Sequence, residues 1–307
     1  MIAVKRRNKT LKYMARNYDL YLFLLPTIIF LIIFSYLPIY GVQIAFKDFM
    51  PTDGILGSHW VGLKHFERLF RSAYFWPIVK NTIIISVYSL LVSFPAPLIF
   101  ALMLNQMRSQ RYKRVIQTIT YAPNFISVVV VVGMLMLFLS PTTGLINRLI
   151  EWFGGNPVFF MMKPQLFSTI YVLSDVWQTA GWGAIIYLAA LSGISPELHE
   201  AAIVDGASKL RRIWHIDIPG IVPVAMILLI LSLGNLIGVG FEKVFLMQNP
   251  VNASVSEVIS TYVYKVGLKG GDFSFSSAVG LLNNIVNFIL LILVNRIAKS
   301  VSSHSLW

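Results

Sequence analysis

The sequence contains no cysteine, and only 12% of its 307 residues are charged. Without cysteine there is neither a disulfide nor a thiolate metal site. Soluble globular domains carry charge on about a quarter of their residues, so this chain has too little charge for a fully water-exposed surface. Acidic residues are fewer than basic residues, 13 Asp and Glu against 25 Lys and Arg, so the net charge is +12. In a membrane protein, such a basic excess is typical of loops that face anionic lipid on the cytoplasmic side.

Apolar residues make up 56% of the chain and cluster in long runs. A helix needs roughly 20 mostly apolar residues to cross a bilayer, so the sequence predicts an all-α polytopic membrane protein. Six transmembrane helices are expected, at about 21–46, 78–104, 115–139, 168–191, 221–247 and 277–294. The first run is too long for a signal peptide and has no small-residue cleavage pattern, so we expect it to be retained as a span.

The distribution of basic residues predicts the orientation of these spans. With the N-terminus in the cytoplasm, the inside segments carry 15 Lys and Arg, whereas the longer outside loops carry 8. Both termini are then cytoplasmic. The expected organisation is a basic N-terminus at 1–20, a six-span domain at 21–300 and a cytoplasmic tail at 301–307.

A polar stretch at 195–219 interrupts the apolar pattern between the fourth and fifth spans. Ser195 is a favourable N-cap and proline suits a first helical turn, so a helix is expected from Pro196 to about Val204. The His-Glu dipeptide at 199–200 does not extend to the zinc motif H-E-x-x-H, because the fifth position is isoleucine. We therefore predict no metal site in this stretch or elsewhere in the chain.

A turn is expected directly after this helix. Asp205 and Gly206 should end it, because glycine adopts the left-handed conformation without penalty. A second short helix is expected to start near Ser208, and Pro219 is expected to end the segment before the fifth span. The predicted product is a compact helix-turn-helix on the cytoplasmic face, which can serve as a handle for another protein.

The spacing of residues in this stretch resembles the cytoplasmic EAA loop of binding-protein-dependent ABC importer permeases. The pattern of that loop is E-A-A, three residues, G, nine residues, I, one residue, L-P. At these spacings the chain has Glu200, Ala201, Ala202, Gly206, Ile216 and Pro219, with Ile218 in place of leucine. Three further parts of the chain resemble the carbohydrate group of these permeases, which is of the maltose and glycerol-phosphate type. They are the first span, the segment "GLKHFERLF" with the "KNTIIIS" that follows it, and the segment "SPTTGLINRLI".

This resemblance implies a type I ABC importer permease fold and a role in carrying a carbohydrate across the cytoplasmic membrane of a prokaryote. Within the group, the sequence resembles permeases for complex oligosaccharides or polysaccharide fragments. The resemblance implies no catalytic residue and no cofactor in this chain, since ATP and Mg²⁺ bind to separate ATPase subunits. In agreement, the sequence has no G-x-x-x-x-G-K-[ST] phosphate loop.

The resemblance also implies partners and coupling residues. The expected partners are a second, non-identical permease subunit, two ATPase subunits and an extracytoplasmic substrate-binding protein, with no nucleic acid. The small side chains of Ala201 and Ala202 would let the helix lie close in a groove of the ATPase, where Glu200 could reach a donor. The other expected coupling residues are Asp205, Gly206, Ile216 and Pro219. The alternative is an ordinary solvated loop helix.

Polar residues inside the spans are candidates for a substrate pathway. Sugar hydroxyls need amide or carboxylate partners, and the C–H faces of sugar rings pack on aromatic rings. The candidates are Asp175, Trp177, Asn235, Glu242, Asn283, Asn284 and Asn287. Three alternatives remain open: the asparagines bridge helices by hydrogen bonds, Asp175 pairs with a basic residue of a partner, and Glu242 pairs with Lys243.

Other classes of function have less support in the sequence. An intramembrane enzyme needs a nucleophile–base pair or metal ligands within its spans, yet all five histidines lie in predicted loops or the tail. An ion-coupled secondary carrier would be favoured by paired inverted repeats and broken helices, and the sequence has no such symmetry. An ABC importer permease for a solute other than sugar is the remaining alternative.

Overall fold

The computed structural model of the chain describes Tyr13 and residues 16–301, without the side chains of 297, 298, 300 and 301. The predicted N-terminal segment at 1–20 is therefore described only in part. The predicted tail at 301–307 lies outside the described residues, apart from the backbone of its first residue. The described part is mainly helical, so the prediction of an all-α fold is confirmed.

Helices follow one another along almost the whole described chain. They are α1 Tyr18–Leu31, α2 Gly54–Gly57, α3 Lys64–Arg71, α4 Phe75–Ser93, α5 Pro95–Asn105, α6 Gln110–Tyr121, α7 Val128–Phe138, α8 Leu145–Trp152, α9 Phe167–Ser192, α10 Pro196–Val204, α11 Lys209–Arg212, α12 Ile218–Gly234, α13 Phe241–Met247, α14 Ala253–Ser256, α15 Ile259–Val263 and α16 Phe273–Val301. π-helical turns lie at Ile32–Tyr36, Ile213–Asp217 and Tyr264–Lys269, and 3₁₀ turns at Leu37–Phe46, Ala122–Phe125, Phe160–Met162 and Pro164–Leu166. The strands β1 Lys47–Asp48 and β2 His59–Trp60 pair antiparallel.

Several of these helices are long and apolar enough to cross a membrane. In the part of the chain that the structure describes there are four, Tyr18–Phe46, Phe75–Asn105, Lys209–Gly234 and Phe273–Arg296. A bent pair, Gln110–Phe125 with Val128–Phe138, makes a fifth if its two parts form one span. The predicted fourth span forms the 26-residue helix α9, which is long enough but more polar than these. The count of six spans therefore stays a prediction.

The third predicted span, 115–139, is not one continuous helix. Its two parts meet at an angle of 103°. Pro123 lies in a 3₁₀ turn at the end of the first part, and Ile126 then adopts an extended conformation. Ser127 starts α7 as its N-cap, with its hydroxyl accepting a hydrogen bond from the Val130 amide at 3.4 Å. The apolar pattern runs through this bend because hydropathy does not depend on the direction of the backbone.

The fifth predicted span, 221–247, is also interrupted. Helix α12 ends at Gly234, and helix α13 starts only at Phe241. Asn235 is the C-cap residue of α12 and has non-helical dihedral angles, φ −116° and ψ 24°. Glycines at 234, 238 and 240 surround it, and glycine is a poor helix former. This non-helical segment, 235–240, is called the α12–α13 break below.

Pro219 does not end the polar stretch, contrary to the prediction. A π-helical turn joins α11 directly to α12, and Pro219 lies in the first turn of α12. Proline is tolerated in a first turn because the amides there lack an intrahelical acceptor in any case. The helical path is therefore continuous from Lys209 to Gly234.

Helix α9 is the centre of the bundle and packs against α4, α5, α6 and α12. Its small residues permit this close approach. A Cβ atom at Gly181 would overlap the carbonyl oxygen of Thr120 on α6, and Ala184 is fully buried against α5 and α12. Small residues at such contacts are typical of helix packing in membranes, where close van der Waals contact drives association.

Candidate coupling loop and substrate cavity

The polar loop, 195–219, contains the turn that its Asp-Gly dipeptide predicts. Gly206 has a φ of +75°, in the left-handed region. The Gly206 amide donates to the Ile203 carbonyl at 3.0 Å, and the Ala207 amide donates to the Ala202 carbonyl at 2.8 Å. These two bonds form a Schellman motif, which satisfies carbonyls at the end of α10. Helix α10 is therefore closed by a defined turn.

The two helices of the polar loop start in different ways. Ser195 occupies the N-cap position of α10, as predicted, but its side chain makes no capping hydrogen bond. Ser208 caps the next helix, and its hydroxyl accepts a hydrogen bond from the Arg211 amide at 3.4 Å. The second helix thus begins where the sequence predicts, with a side-chain cap that fixes its start.

The predicted coupling residues lie mainly on the surface of this loop. Glu200, Ala201, Asp205, Gly206 and Pro219 are exposed, whereas Ala202 and Ile216 are half-buried. Large apolar side chains of the same loop are also exposed, and the most exposed are Val204 by 86%, Leu210 by 79% and Trp214 by 69%. Apolar side chains grouped on a polar loop are typical of a surface that another protein covers.

A buried charged cluster at the base of the polar loop is absent from the sequence predictions. The Asp217 side chain is fully buried. Its Oδ2 accepts a hydrogen bond from Gln106 Nε2 at 3.0 Å, and His199 Nε2 lies 3.3 Å from its Oδ1. Arg212 is close enough to interact electrostatically with this carboxylate. The signal in the sequence was an aspartate within the apolar run I-D-I-P, although its hydrogen-bond partner Gln106 lies far away in the chain.

A cavity with a partly polar lining lies among the helices of the bundle. Its volume is about 450 Å³, and it is bordered by α4, α5, α9, α12 and the α12–α13 break. Among its polar lining residues are Ser86, Ser89, Ser93, Asp175, Ser232 and Asn235. Asp175 and Asn235 are two of the seven residues predicted for a substrate pathway. The structure therefore brings these two together in one cavity.

The other predicted pathway residues lie elsewhere. Trp177 lines a separate, mainly apolar cavity of about 500 Å³ between α7 and α9. Glu242 and Asn284 are exposed, and Asn283 is half-buried with its Oδ1 atom unpaired among the described residues. Asn287 Oδ1 accepts a hydrogen bond from the Ile237 amide at 3.2 Å. This last bond ties α16 to the α12–α13 break.

Lys243 does not pair with Glu242, the local partner considered from sequence. Its side chain is buried, and its Nζ lies 3.5 Å from Asp175 Oδ1 in an ion pair. The same ammonium lies 5.1 Å from the centre of the Tyr171 ring, within range of a cation–π interaction. The partner of Asp175 is thus within the chain, and the pair leaves no net charge at this edge of the cavity.

Three serines of α4 were missed by sequence reasoning. Ser86, Ser89 and Ser93 are spaced at i, i+3 and i+7, so they share one helix face, and all three line the cavity. None of their hydroxyl oxygens has a hydrogen-bond partner among the described residues. Serine within membrane helices often bonds the carbonyl four residues earlier, so the residue type alone indicated no site. Only the helical spacing was available as a signal.

The segment after the first span carries a second charged cluster, outside the spans. Asp48 on β1 accepts a hydrogen bond from Lys64 Nζ at 2.6 Å, and His65 Nε2 lies 3.1 Å from its other oxygen. The hydrogen bond from Lys64 is the main reason that the pKa of Asp48 lies below its ordinary value. Arg68 pairs with Asp272 at 2.6 Å and so links α3 to the start of α16.

Long apolar helices around a partly polar cavity, with a capped helix pair between two spans, define a membrane-embedded transport permease. Residues 93–302 match the family described as binding-protein-dependent transport system inner membrane component. The chain belongs to this family and is a permease subunit of an ABC importer, a system that also includes a substrate-binding protein. The family and fold that the sequence resemblance implied are confirmed.

Similar proteins cover nearly the whole chain. The polygalacturonan/rhamnogalacturonan transport system permease protein YteP of Bacillus subtilis (strain 168) is 44% identical over 303 residues, 99% of this chain and 94% of that protein. Protein LplB of the same organism is 42% identical over 292 residues, 95% of this chain and 92% of that protein. A crystal structure of a bacterial ABC transporter involved in the import of the acidic polysaccharide alginate is similar at a TM-score of 0.88 and 40% identity. That match covers 96% of this chain and 99% of the other.

Proposed function

We propose that this chain forms part of the pathway through which an ABC importer carries an oligosaccharide or polysaccharide fragment into the cell. The observation that carries this proposal is the partly polar cavity of about 450 Å³ among the helices of the bundle. It offers hydroxyl, amide and carboxylate groups of the kind that recognise sugar hydroxyls. The transport roles of YteP and of the alginate importer support the same substrate class.

The ion pair at the edge of the cavity is compatible with both a neutral and an acidic oligosaccharide. Asp175 is one-third exposed, so one of its oxygens can accept a hydrogen bond from a sugar hydroxyl. A charge-assisted hydrogen bond of this kind is stronger than one between neutral groups. The buried ammonium of Lys243 neutralises Asp175, so an acidic sugar would not meet an uncompensated negative charge.

The polar loop is proposed to receive the ATPase subunits on the cytoplasmic side, with both termini of the chain on that side. The exposed Glu200 and Ala201, together with the apolar Val204, Leu210 and Trp214, offer a surface suited to a protein partner. ATP and Mg²⁺ would bind to those partner subunits, and this chain would carry out no hydrolysis. ATP-driven closure would favour the outward-facing state of the cavity.

The chain is proposed to supply one half of the membrane pathway, with a second and non-identical permease subunit as the other half. Two ATPase subunits and an extracytoplasmic substrate-binding protein would complete the importer. A related structure of the alginate transporter contains an alginate pentasaccharide-bound periplasmic protein, which supports the last of these partners. Co-purification after gentle detergent extraction would identify the companion subunits.

The cavity is tested by uptake in proteoliposomes that contain the complete importer. The substrates are an oligogalacturonate and a neutral malto-oligosaccharide of equal length. Asp175→Asn is expected to lower uptake of the transported sugar about ten-fold or more, since hydrogen bonds to charged groups contribute about 1.5–3 kcal/mol. Glu151→Gln, a change of an exposed carboxylate on α8 outside the cavity, is the matched control. Equal uptake by both variants and the wild type would contradict a sugar pathway through this cavity.

A further inference from the structure

Helix α10 is weakly attached to the rest of the protein. None of its residues is buried. A groove of about 620 Å³ lies between it and the ends of α9 and α12, and Leu198 and Pro219 are among the residues that line it. Because α10 has no packed face, its displacement can be transmitted to the other helices only through another fixed contact. The contact that the structure provides is polar.

Three segments meet at the Asp217 carboxylate. Asp217 itself precedes α12, Gln106 is the C-cap residue of α5, and His199 lies in the middle of α10. Gln106 donates to one carboxylate oxygen at 3.0 Å. His199 Nε2 lies 3.3 Å from the other oxygen, within ion-pair range, and that oxygen has no hydrogen-bond partner among the described residues. The carboxylate is fully buried, so water does not compete for these positions. A buried carboxylate that lost its partners would be strongly unfavourable, which keeps the three segments together.

We propose that Asp217 and His199 are positioning residues that make α10 move as one body with α5 and α12. This inference rests on the proposed docking of ATPase subunits to the polar loop. When such a partner displaces α10, the His199–Asp217 contact carries the displacement to the start of α12. The Gln106–Asp217 hydrogen bond then carries it to the end of α5.

Without this contact, the Gly206 turn would absorb the movement of α10. The ATPase subunits would then still bind the loop and hydrolyse ATP, but the cavity between α4, α5, α9 and α12 would not change its access. The expected defect of a His199 variant is therefore a lower number of sugars transported per ATP hydrolysed. Coupling free energies between sites are commonly 1–3 kcal/mol, so we expect that number to fall about five-fold or more.

His199 is the preferred position for the test because its side chain is one-quarter exposed, so its replacement is compatible with folding. His199→Ala removes the contact, whereas His199→Gln keeps a donor nitrogen within reach of Asp217. His59→Ala is the matched control, since this exposed histidine lies on β2, outside the polar loop. All variants are measured in the complete importer.

The first measurement is the distance between spin labels on α10 and α5. The chain has no native cysteine, so single cysteines at the exposed positions Glu197 and Met103 can be labelled selectively. In the wild type, His199→Gln and His59→Ala, the distance distribution should stay narrow with and without ATP. In His199→Ala it should broaden. An equally narrow distribution in His199→Ala, or equal broadening in His59→Ala, would overturn the proposal.

The second measurement is the number of oligogalacturonate molecules taken up per ATP hydrolysed. The expected result is a fall in His199→Ala, recovery in His199→Gln and no change in His59→Ala. A broad distance distribution with an unchanged ratio would overturn the coupling role of the joint. Should the wild-type importer fail to transport this sugar, the proposed substrate would be wrong, and the distance measurement would still decide on the joint.

Discussion

Replacement of Gly206 tests whether the shape of the polar loop matters for transport. Its φ of +75° is costly for a residue with a side chain, by roughly 1–2 kcal/mol for most L-residues. No atom lies within 4 Å of a Cβ atom built at this position, so the cost comes from the backbone conformation and not from a clash. A difference of 1.4 kcal/mol is a factor of ten in an equilibrium constant, so Gly206→Val should lower the equilibrium constant for forming the native turn about five- to thirty-fold.

Asparagine provides the matched control at this position. It adopts the left-handed conformation more readily than other side chains, so Gly206→Asn should keep the turn. In proteoliposomes with the complete importer, Gly206→Val should lose most ATP-driven uptake while it still inserts and assembles, and Gly206→Asn should retain most of it. Equal uptake by the two variants, whether high or low, would refute a requirement for the left-handed turn.

Three further predictions concern packing, pH and the asparagines of α16. A Cβ atom at Gly181 would overlap the Thr120 carbonyl, so Gly181→Ala should lower the thermal unfolding temperature by overpacking, at a cost of about 1–3 kcal/mol, whereas Gly133→Ala meets no atom within 4 Å and should not. Because pairing with Lys64 lowers the folded-state pKa of Asp48, the stabilisation by this pair should be complete above the ordinary value of about 3.9 and lost as pH falls further. The stability difference between wild type and Asp48→Asn should therefore shrink below about pH 4, and a difference that grows there would contradict this pairing. Asn287→Ala leaves the Ile237 amide unpaired and should destabilise the protein by about 1–3 kcal/mol in detergent unfolding, while the exposed Asn284→Ala should not; the reverse order would be evidence against a bridging role.

Local sequence patterns predicted those features of the fold that depend on neighbouring residues. The Asp-Gly dipeptide predicted a left-handed turn at Gly206, because the preference for this conformation belongs to glycine itself. Ser208 was recognised as the start of the second helix for a similar reason. Long apolar runs predicted helices near all six expected positions, since hydropathy records the environment of a segment.

Features that depend on backbone direction or distant partners could not be predicted in this way. The bend before Ser127 and the break at Asn235 lie within apolar runs that continue on both sides. Pro219 was expected to end the polar segment because proline breaks a helix interior. The π-helical turn before it instead joins directly to α12, so the helix continues. The partner of Asp217 on α5, Gln106, is 111 positions away in the chain.

The residues of the candidate cavity could likewise be predicted from the sequence only in part. Asp175 and Asn235 were identified because polar residues in apolar spans are conspicuous, and both line the cavity. The serines of α4 were overlooked because a hydroxyl inside a membrane helix usually bonds its own backbone. A pair between Lys243 and its sequence neighbour Glu242 was one of the alternatives from sequence, whereas the fold brings Lys243 to Asp175 instead.

Uptake that depends on the ATPase subunits tests the account most directly. Proteoliposomes with this chain and its permease partner are compared with and without the ATPase subunits, in the presence of the substrate-binding protein and internal ATP. The account predicts oligosaccharide accumulation only with the ATPase subunits present, and its loss in Glu200→Ala. Accumulation without them, driven by an ion gradient or unaffected by changes in the polar loop, would contradict it.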